Sequence, residues 1–246
     1  MKVIFLGTNG WYCTKTGDTP CILIDSEKYY IVLDAGNGIY KLEKHITEDK
    51  PIYLFLSHFH LDHIFGLHIL SKFKFKQGIN IVVENGGRKI LQTVIDNPFT
   101  KTMKDFDIKI SILELPNEKD KLPFSVESFK MFHVDPVLGY RFNLDGKTIA
   151  YSGDAGISEN SLPLAKNADL LIHECNLLPG MKTAWRHTDP VEVSKLAKDA
   201  GAKKLAMVHF DASLYTSFEL RDNAQEIARE IFPNTFAMRD EQVIEL

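Results

Sequence analysis

The segment from His58 to His63 constrains this chain more than any other, because it reads His-Phe-His-Leu-Asp-His. It places three imidazoles and one carboxylate within six positions, directly after the apolar run that ends at Ser57. Neutral imidazole nitrogens and carboxylate oxygens are ligands that zinc and related transition ions prefer. On a turn at a strand end, His58 and His60 can aim at one point. Asp62 and the final histidine can then face a second point nearby, so the segment predicts a metal site.

Three further apolar runs end on side chains that can bind a metal. The runs are rich in β-branched and aromatic residues, which predicts short buried strands. They span 125–132, 148–152 and 205–208 and lead to His133, Asp154 and His209, respectively. Because ligands collect outside the carboxyl ends of strands in α/β architectures, we expect all of these groups to share one site. The alternative, a histidine-rich surface loop at 58–63, leaves this repetition unexplained.

In this order the candidate ligands resemble those of the metallo-β-lactamase superfamily, with its His-X-His-X-Asp-His motif and its later His, Asp and His. The similarity covers nearly the whole chain and leaves no ligand position of the family pattern missing. It implies an α/β fold, arranged as a four-layer αββα sandwich, and a centre of two divalent metal ions. The first ion would be held by His58, His60 and His133, the second by Asp62, His63 and His209, and Asp154 would bridge the two.

A second motif adds to this resemblance. The apolar run 31–33 leads into Asp34-Ala-Gly-Asn-Gly38, which is similar to the aspartate-glycine turn that supports the metal site in the family. Metal-binding histidines usually donate their second ring N–H to such a carboxylate. Asp34 is therefore expected to orient a histidine ligand and not to bind a metal itself.

Length and composition agree with a single domain spanning residues 1–246. The chain has 44% hydrophobic residues, enough to bury a large core, and no linker or shift in composition divides it. Helical patterns around 39–44, 64–73, 88–95, 190–200 and 218–232 are interleaved with the strands. Pro190, with Thr188 or Asp189 as the cap, marks the start of the fourth helix. Strands covered by helices predict an α/β class.

The sequence predicts a cytoplasmic location without membrane attachment. The first apolar run, Met1 to Leu6, is too short for a signal peptide, and no run approaches the roughly 18 apolar residues that span a bilayer. Cys13, Cys21 and Cys175 are odd in number and lack the spacing of a metal knuckle, which indicates reduced thiols. A secreted antibiotic-degrading enzyme is therefore not expected.

A dinuclear centre of this kind implies hydrolysis. Its two ions lower the pKa of a water from about 15.7 towards 7 and act as Lewis acids on the substrate, so the nucleophile would be a metal-bridging hydroxide. No serine or cysteine nucleophile is then needed, and Ser57 and Ser152 are expected to support the ligands by hydrogen bonds. Zinc is the expected ion, with manganese or iron as alternatives.

A later segment resembles ribonuclease Z and its phosphodiesterase relatives. The apolar run from residue 170 ends in His173-Glu174, and His187 follows a glycine-containing loop. By this resemblance His187 donates a proton to the leaving alcohol and Glu174 orients it. Asp62, Glu174 and His187 are accordingly the predicted catalytic residues. The alternatives are a buried His173 satisfied by hydrogen bonds and a His187 that lies on the surface.

Two tripeptides favour the same branch, whereas loop length and charge argue against a large RNA. Gly139-Tyr-Arg and Tyr151-Ser-Gly match the ribonuclease Z group. Only twenty residues separate His133 from Asp154, which leaves no room for the long arm with which that enzyme holds transfer RNA. The net charge of −4 is not the basic footprint of an RNA-binding protein. We expect a small-molecule or short, single-stranded phosphodiester substrate, with nucleic acid not favoured.

Other functions on the same scaffold stay open from the sequence. Lactone, ester or thioester hydrolysis is the main alternative, because polarisation of a carbonyl by the ions would make His187 dispensable. A non-catalytic metal-binding interaction protein is the second alternative. Trp11, Tyr12 and Trp185 fall on predicted loops that border the site, where they could hold a base or an acyl group. Because dimers are common in this family, the resemblance also implies that the chain could form a homodimer.

Overall fold

The computed structural model of the chain describes residues 1–246, which form fifteen strands and six α-helices. The strands are β1 (Lys2–Gly7), β2 (Asn9–Gly10), β3 (Cys21–Asp25), β4 (Tyr30–Leu33), β5 (Ile52–Phe55), β6 (Ile79–Glu84), β7 (Ile110–Leu115), β8 (Ser125–Met131), β9 (Val137–Leu144), β10 (Lys147–Tyr151), β11 (Leu170–Glu174), β12 (Leu205–Val208), β13 (Phe210–Asp211), β14 (Thr235–Ala237) and β15 (Val243–Glu245). The α-helices are α1 (Leu42–His45), α2 (Leu61–Ile64), α3 (Gly87–Val94), α4 (Ser161–Ala165), α5 (Pro190–Asp199) and α6 (Phe218–Ile231). Four 3₁₀ helices cover Asn37–Lys41, Phe65–Lys72, Met103–Asp105 and Lys119–Lys121.

The strands build two large sheets and one small one. The first sheet has seven strands in the order β15-β1-β3-β4-β5-β6-β7, and the second has six in the order β14-β12-β11-β10-β9-β8. β4 to β7 are parallel to one another, as are β10, β11, β12 and β14. β3 joins β4, and β9 joins β10, through antiparallel pairs. The small sheet pairs β2 with β13, close to His209.

Alternation of side chains along the strands sorts the core into three apolar layers. In β1, Val3 and Phe5 pack between the two large sheets. Ile4 and Leu6 point to the opposite face, which α1, α3 and the 3₁₀ helices at 37–41 and 65–72 cover. The outer face of the second sheet is covered by α4, α5 and α6. The layers therefore run helix, sheet, sheet, helix, and the predicted four-layer α/β arrangement is confirmed.

The five predicted helical segments are present, although two differ in type, and α4 is a helix that the sequence did not predict. The segment predicted over 39–44 is a 3₁₀ helix over Asn37–Lys41 followed by α1. α5 begins at Pro190, and Asp189 caps it by accepting a hydrogen bond from the N–H of Glu192 at 2.8 Å. The helix predicted over 64–73 is instead the short α2 followed by a 3₁₀ helix. This segment packs tightly on its neighbour, because a Cβ on Gly66 would lie 2.4 Å from the carbonyl oxygen of Gly36. No helix has the length and hydropathy needed to cross a bilayer.

Candidate metal centre

The candidate ligands and the carboxylates that support the site, Asp34 and Glu174, come from the ends of strands in both large sheets. In the first sheet, Asp34 follows β4 and the segment 58–63 follows β5. In the second sheet, polar residues follow or end β8, β10, β11 and β12, and these residues are His133, Asp154, Glu174 and His209. Asp34 and His209 have φ values of 59° and 53°, a left-handed conformation that the surrounding structure must hold in place. The edges of the two sheets therefore meet in one polar cleft.

The side chains in this cleft converge into four groups, and within each group the ligand atoms lie within 4.8 Å of one another. The groups are His58, His60 and His133; Asp62, His63 and His209; His58, His63 and Asp154; and His133, Asp154 and His187. The first two coincide with the two triads that the family resemblance implied. Asp154 shares a group with members of both triads. The structure thus brings together every residue that the sequence predicted around the metals.

In both His58 and His63, one ring nitrogen contacts a polar side chain of the protein, and the other faces the cleft. His58 Nδ1 lies 3.0 Å from the hydroxyl of Ser57, and His63 Nδ1 lies 2.8 Å from Asp34 Oδ2. The Nε2 atoms of both histidines are buried and have no hydrogen-bond partner. A buried polar atom without a partner is costly, and one metal ion at each of these two nitrogens would satisfy its lone pair.

The other histidines show the same division. His209 Nδ1 lies 3.2 Å from the side-chain amide of Asn176, and His133 Nδ1 accepts a hydrogen bond from the N–H of Asp135 at 3.4 Å. His60 Nε2 lies 2.8 Å from Asp135 Oδ2, which leaves Nδ1 to face an ion. Neither Asp135 nor Asn176 was predicted from the sequence. Each lies two positions after a predicted site residue, His133 and Glu174, respectively, and this nearness along the chain is the signal that could have identified them.

Asp34 anchors the floor of the cleft. Its carboxylate accepts hydrogen bonds from the Ser57 N–H at 2.7 Å, the Ser57 hydroxyl at 2.8 Å and the Tyr151 hydroxyl at 2.5 Å. It also contacts His63, and all four residues are buried. Burial, with the negative charge of Asp34 added, raises the pKa of Tyr151 well above its usual value, so the phenol stays a donor. The expected contact between Asp34 and a histidine is present.

Asp154 lies at the centre of the cleft. Its Oδ2 is 3.6 Å from Nε2 of both His133 and His209, and its Oδ1 is 2.9 Å from His187 Nδ1. The approach of His187 is close, but its angles are not those of a hydrogen bond. Asp62 is a second carboxylate of the cleft, and its Oδ2 lies 3.2 Å from His209 Nε2. The same oxygen accepts a hydrogen bond from the backbone N–H of Trp11 at 2.9 Å.

The electrostatics of the cleft are those of a site that lacks positive charge. Burial alone would lower the pKa of His63, yet Asp62 and Asp34 raise it to about 9. Burial opposes the same shift in His187, where Asp154 and Glu174 raise the pKa to about 11. In both cases carboxylates draw a proton to the imidazole because nothing else neutralises them. Divalent ions would neutralise Asp62 and Asp154 and would displace the proton from the ligand His63, so the donor set fits metal binding.

Glu174 acts on the loop before α5 more than on the ring of His187. It is fully buried and accepts hydrogen bonds from the N–H groups of Asn176 and Thr188, both at 2.7 Å. Its Oε1 lies 3.6 Å from His187 Nδ1, which is farther than Asp154. His187 lines the cleft with 13% of its side chain exposed, and it does not lie on the outer surface. His173 is buried, with Nδ1 2.9 Å from the Glu174 carbonyl oxygen.

A cavity of about 480 Å³ opens above these groups. Its volume lies within the range of about 300–1,000 Å³ that is typical of small-molecule sites. The residues that line it are Trp11, His60, Asp62, His133, Asp154, Asn176, Leu177, Thr183, Trp185, His187, His209, Asp211, Ser213 and Leu214. The predicted placement of Trp11 and Trp185 beside the site is confirmed, whereas Tyr12 does not line the cavity.

Comparison with known sequences places the chain in a family of metal-dependent enzymes. The profile of the beta-lactamase superfamily domain matches residues 29–210. The chain is 27% identical over 240 residues to the probable metallo-hydrolase YhfI of Bacillus subtilis strain 168, and the match covers 94% of each chain. It is 26% identical over 284 residues to ribonuclease Z of Sulfurisphaera tokodaii, with 94% of this chain and 95% of that protein covered.

Solved structures share the architecture. The crystal structure of YhfI from Bacillus subtilis superposes with a TM-score of 0.82 and 24% identity, covering 99% of this chain and 98% of that one. Human tRNase Z, short form, superposes with a TM-score of 0.76 and 24% identity, covering 100% and 99%. At this identity the likeness establishes a common fold over the full length of the chain.

Proposed function

The chain belongs to the beta-lactamase superfamily, has the metallo-β-lactamase fold and is a metallo-hydrolase, and from this premise we propose that it is a dinuclear phosphodiesterase. We further propose that its substrate is a small or short, single-stranded phosphodiester. The relatives named ribonuclease Z support this branch, at an identity of about a quarter. The cleft of this chain supports it independently, through the residues that face one another there.

The division of each histidine between a protein contact and the cleft supports two metal sites. His58, His60 and His133 would hold one ion through the nitrogens that the protein leaves free. A second ion would be held by Asp62, His63 and His209, with Asp154 between the two sites. When bound, two divalent ions supply a water of lowered pKa and polarise the phosphoryl oxygen. Zinc suits this mixture of imidazole and carboxylate ligands, with manganese and iron as alternatives.

The position of His187 carries the assignment to phosphodiesters. Its Nδ1 faces Asp154, which leaves Nε2 as the nitrogen that can give a proton to a leaving oxygen in the cleft. Cleavage of a phosphodiester must expel an alkoxide, and an alkoxide needs that proton. A carbonyl substrate depends less on such a donor, because a thioester expels a stable thiolate and a lactone is first attacked at a carbonyl that the ions polarise. Glu174 positions His187 by holding the N–H of the next residue, Thr188.

A substrate panel tests this proposal. Metal-replete protein is assayed with bis(p-nitrophenyl) phosphate, a dinucleotide, a thioester and a lactone, using wild type, His187→Ala and the control His68→Ala. His68 is an exposed histidine outside the cavity. We expect diester cleavage, with loss of dinucleotide cleavage in His187→Ala alone. Carbonyl turnover that is indifferent to His187 would instead identify a lactone or ester hydrolase. No turnover of any substrate, with metal bound, would favour the interaction protein.

A further inference from the structure

Both tryptophans of the chain stand at the same cavity. The sequence contains two, Trp11 and Trp185, and both line the cleft above the candidate ligands. They are 66% and 60% exposed, although indole rings are usually well buried. They come from different loops, one after β2 and one between β11 and α5. A single exposed aromatic residue is ordinary, but two at the mouth of one catalytic cavity indicate a surface that lacks its partner.

Trp11 is held in place even though its ring is exposed. Its backbone has a φ of 72°, and its backbone N–H donates a hydrogen bond to the carboxylate of Asp62 at 2.9 Å. The ring of Tyr12 packs edge-on against it, with centroids 5.2 Å apart and planes at 72°. An aromatic face that is fixed in advance loses little conformational freedom when a ligand stacks on it. Trp11 is therefore suited to bind the flat face of a planar group.

The remaining lining of the cavity limits the charge of a ligand. No lysine or arginine lines it, and Asp211 is the one charged side chain outside the candidate metal centre. Polyphosphates and folded RNA need several cationic side chains along their path, and the lining of this cleft has no lysine or arginine. Thr183 and Ser213 add hydroxyl groups to the lining of the cavity. The cleft thus combines aromatic faces with polar groups. A nucleobase matches both, because its flat face can stack on an aromatic ring and its edge carries hydrogen-bonding groups.

We propose that Trp11 and Trp185 form a nucleobase-binding subsite, so that the substrate is a nucleoside phosphodiester with a single charged phosphate. This inference rests on the proposed phosphodiesterase function and names its substrate class. An acyl chain is the less suitable occupant, because it would need an enclosed apolar pocket and these rings stand open at the mouth. A base covers the ring faces and leaves its own polar edge in contact with water and hydroxyls.

Intrinsic fluorescence tests the subsite directly, because no other tryptophan contributes to the signal. Metal-replete protein is titrated with adenosine, ribose and octanoate, with excitation at the red edge of the indole band. We expect saturable quenching by adenosine and none by ribose or octanoate. Trp11→Leu and Trp185→Leu, each read through the other tryptophan, should weaken adenosine binding by about tenfold, the loss of one stacked base. Phe99→Leu is the matched control, since Phe99 is 69% exposed and lies outside the cavity.

Three results would overturn the inference. One is the absence of adenosine quenching up to its solubility limit. Another is quenching by octanoate in preference to adenosine, which would make the tryptophans an acyl-binding wall. The third is self-association of the wild type that either tryptophan substitution abolishes, without adenosine binding, which would make them a dimer contact.

The binding readout also separates this inference from the proposed function. Adenosine carries no phosphate and needs no catalysis, so its binding is independent of turnover. Adenosine binding without diester cleavage would leave the subsite and remove the phosphodiesterase assignment. Diester cleavage without adenosine binding would do the reverse.

Discussion

The inner wall of the cleft and its mouth are built in opposite ways. The inner wall consists of Asp34, Ser57, His63 and Tyr151. All four are buried between the sheets, and Asp34 is bonded to the other three. The mouth consists of Trp11, Trp185 and the loops that carry them, with both rings exposed to solvent. The inner wall fixes where ions can lie, whereas the mouth decides what can approach them.

This contrast separates two kinds of damage. When a buried carboxylate loses its hydrogen-bond partners, or when those partners lose the carboxylate, no water can replace the lost hydrogen bond. Such a loss therefore disturbs both the metal ligands and the fold. An exposed ring that is removed leaves only solvent behind it. Substitutions in the inner wall should therefore change metal content and stability, and substitutions at the mouth should change the KM alone.

Asp154→Ala should produce the largest effect, since it removes the carboxylate that faces both triads. We expect diester cleavage to fall by more than about a thousandfold, in line with the several kcal/mol that metal ions contribute to such reactions. Asp107→Ala is the control, because it removes an exposed carboxylate that does not line the cavity. Full activity in Asp154→Ala would exclude Asp154 as a shared ligand.

His187→Ala should follow, and the size of its effect should depend on the leaving group. We expect a loss of about 10²–10⁴ in kcat for a dinucleotide, the usual contribution of a general acid. The loss should be smaller for bis(p-nitrophenyl) phosphate, because p-nitrophenolate leaves without a proton. Metal content measured beside the kinetics should equal that of wild type. Equal losses on both substrates would point to a structural role.

Asp34→Asn should test the inner wall itself. The substitution keeps the shape but removes the charge that His63 contacts at 2.8 Å. Loss of such a partner typically lowers metal affinity by about 10–100-fold, which competition with a chelator would measure. Tyr151→Phe, which removes one of the hydrogen bonds to Asp34, should have a smaller effect in the same direction. Unchanged metal affinity in both variants would show that the wall does not position the ligands.

Tyr12→Ala should produce the smallest effect, because it only removes the edge-on contact that steadies Trp11. An aromatic pair contributes about 0.5–1.5 kcal/mol, so we expect a KM for a nucleoside diester that rises a few-fold. The kcat and the melting temperature should stay unchanged. A fall in kcat instead would mean that the mouth supports the inner wall after all.

The sequence was sufficient for the fold class and for the candidate metal ligands, which the structure brings together in the cleft. The segment 58–63 is local, so its spacing alone indicated a metal site. His133, Asp154 and His209 were found because each follows a strand, and parallel strands bring their ends to one edge. The resemblance to a known family then supplied the division of these residues between two ions.

The contacts that complete the site were not accessible in the same way. Tyr151 reaches Asp34 from the other sheet, across 117 positions of sequence, and nothing local to either residue indicates that pairing. Asp135 contacts His60 across 75 positions. Glu174 was expected to orient His187, and its hydrogen bonds, both at 2.7 Å, go to backbone N–H groups of the loop. Such contacts depend on how the two sheets pack, which residue spacing does not encode.

The number of metal ions bound per chain tests the central claim most directly. Wild-type protein and Asp154→Ala are reconstituted with zinc, freed of excess ion and analysed by mass spectrometry of the elements, with circular dichroism to confirm that the variant is folded. The account predicts two ions per wild-type chain and at most one in the variant. A single ion in wild type, unchanged in Asp154→Ala, would contradict a dinuclear centre built from the two triads.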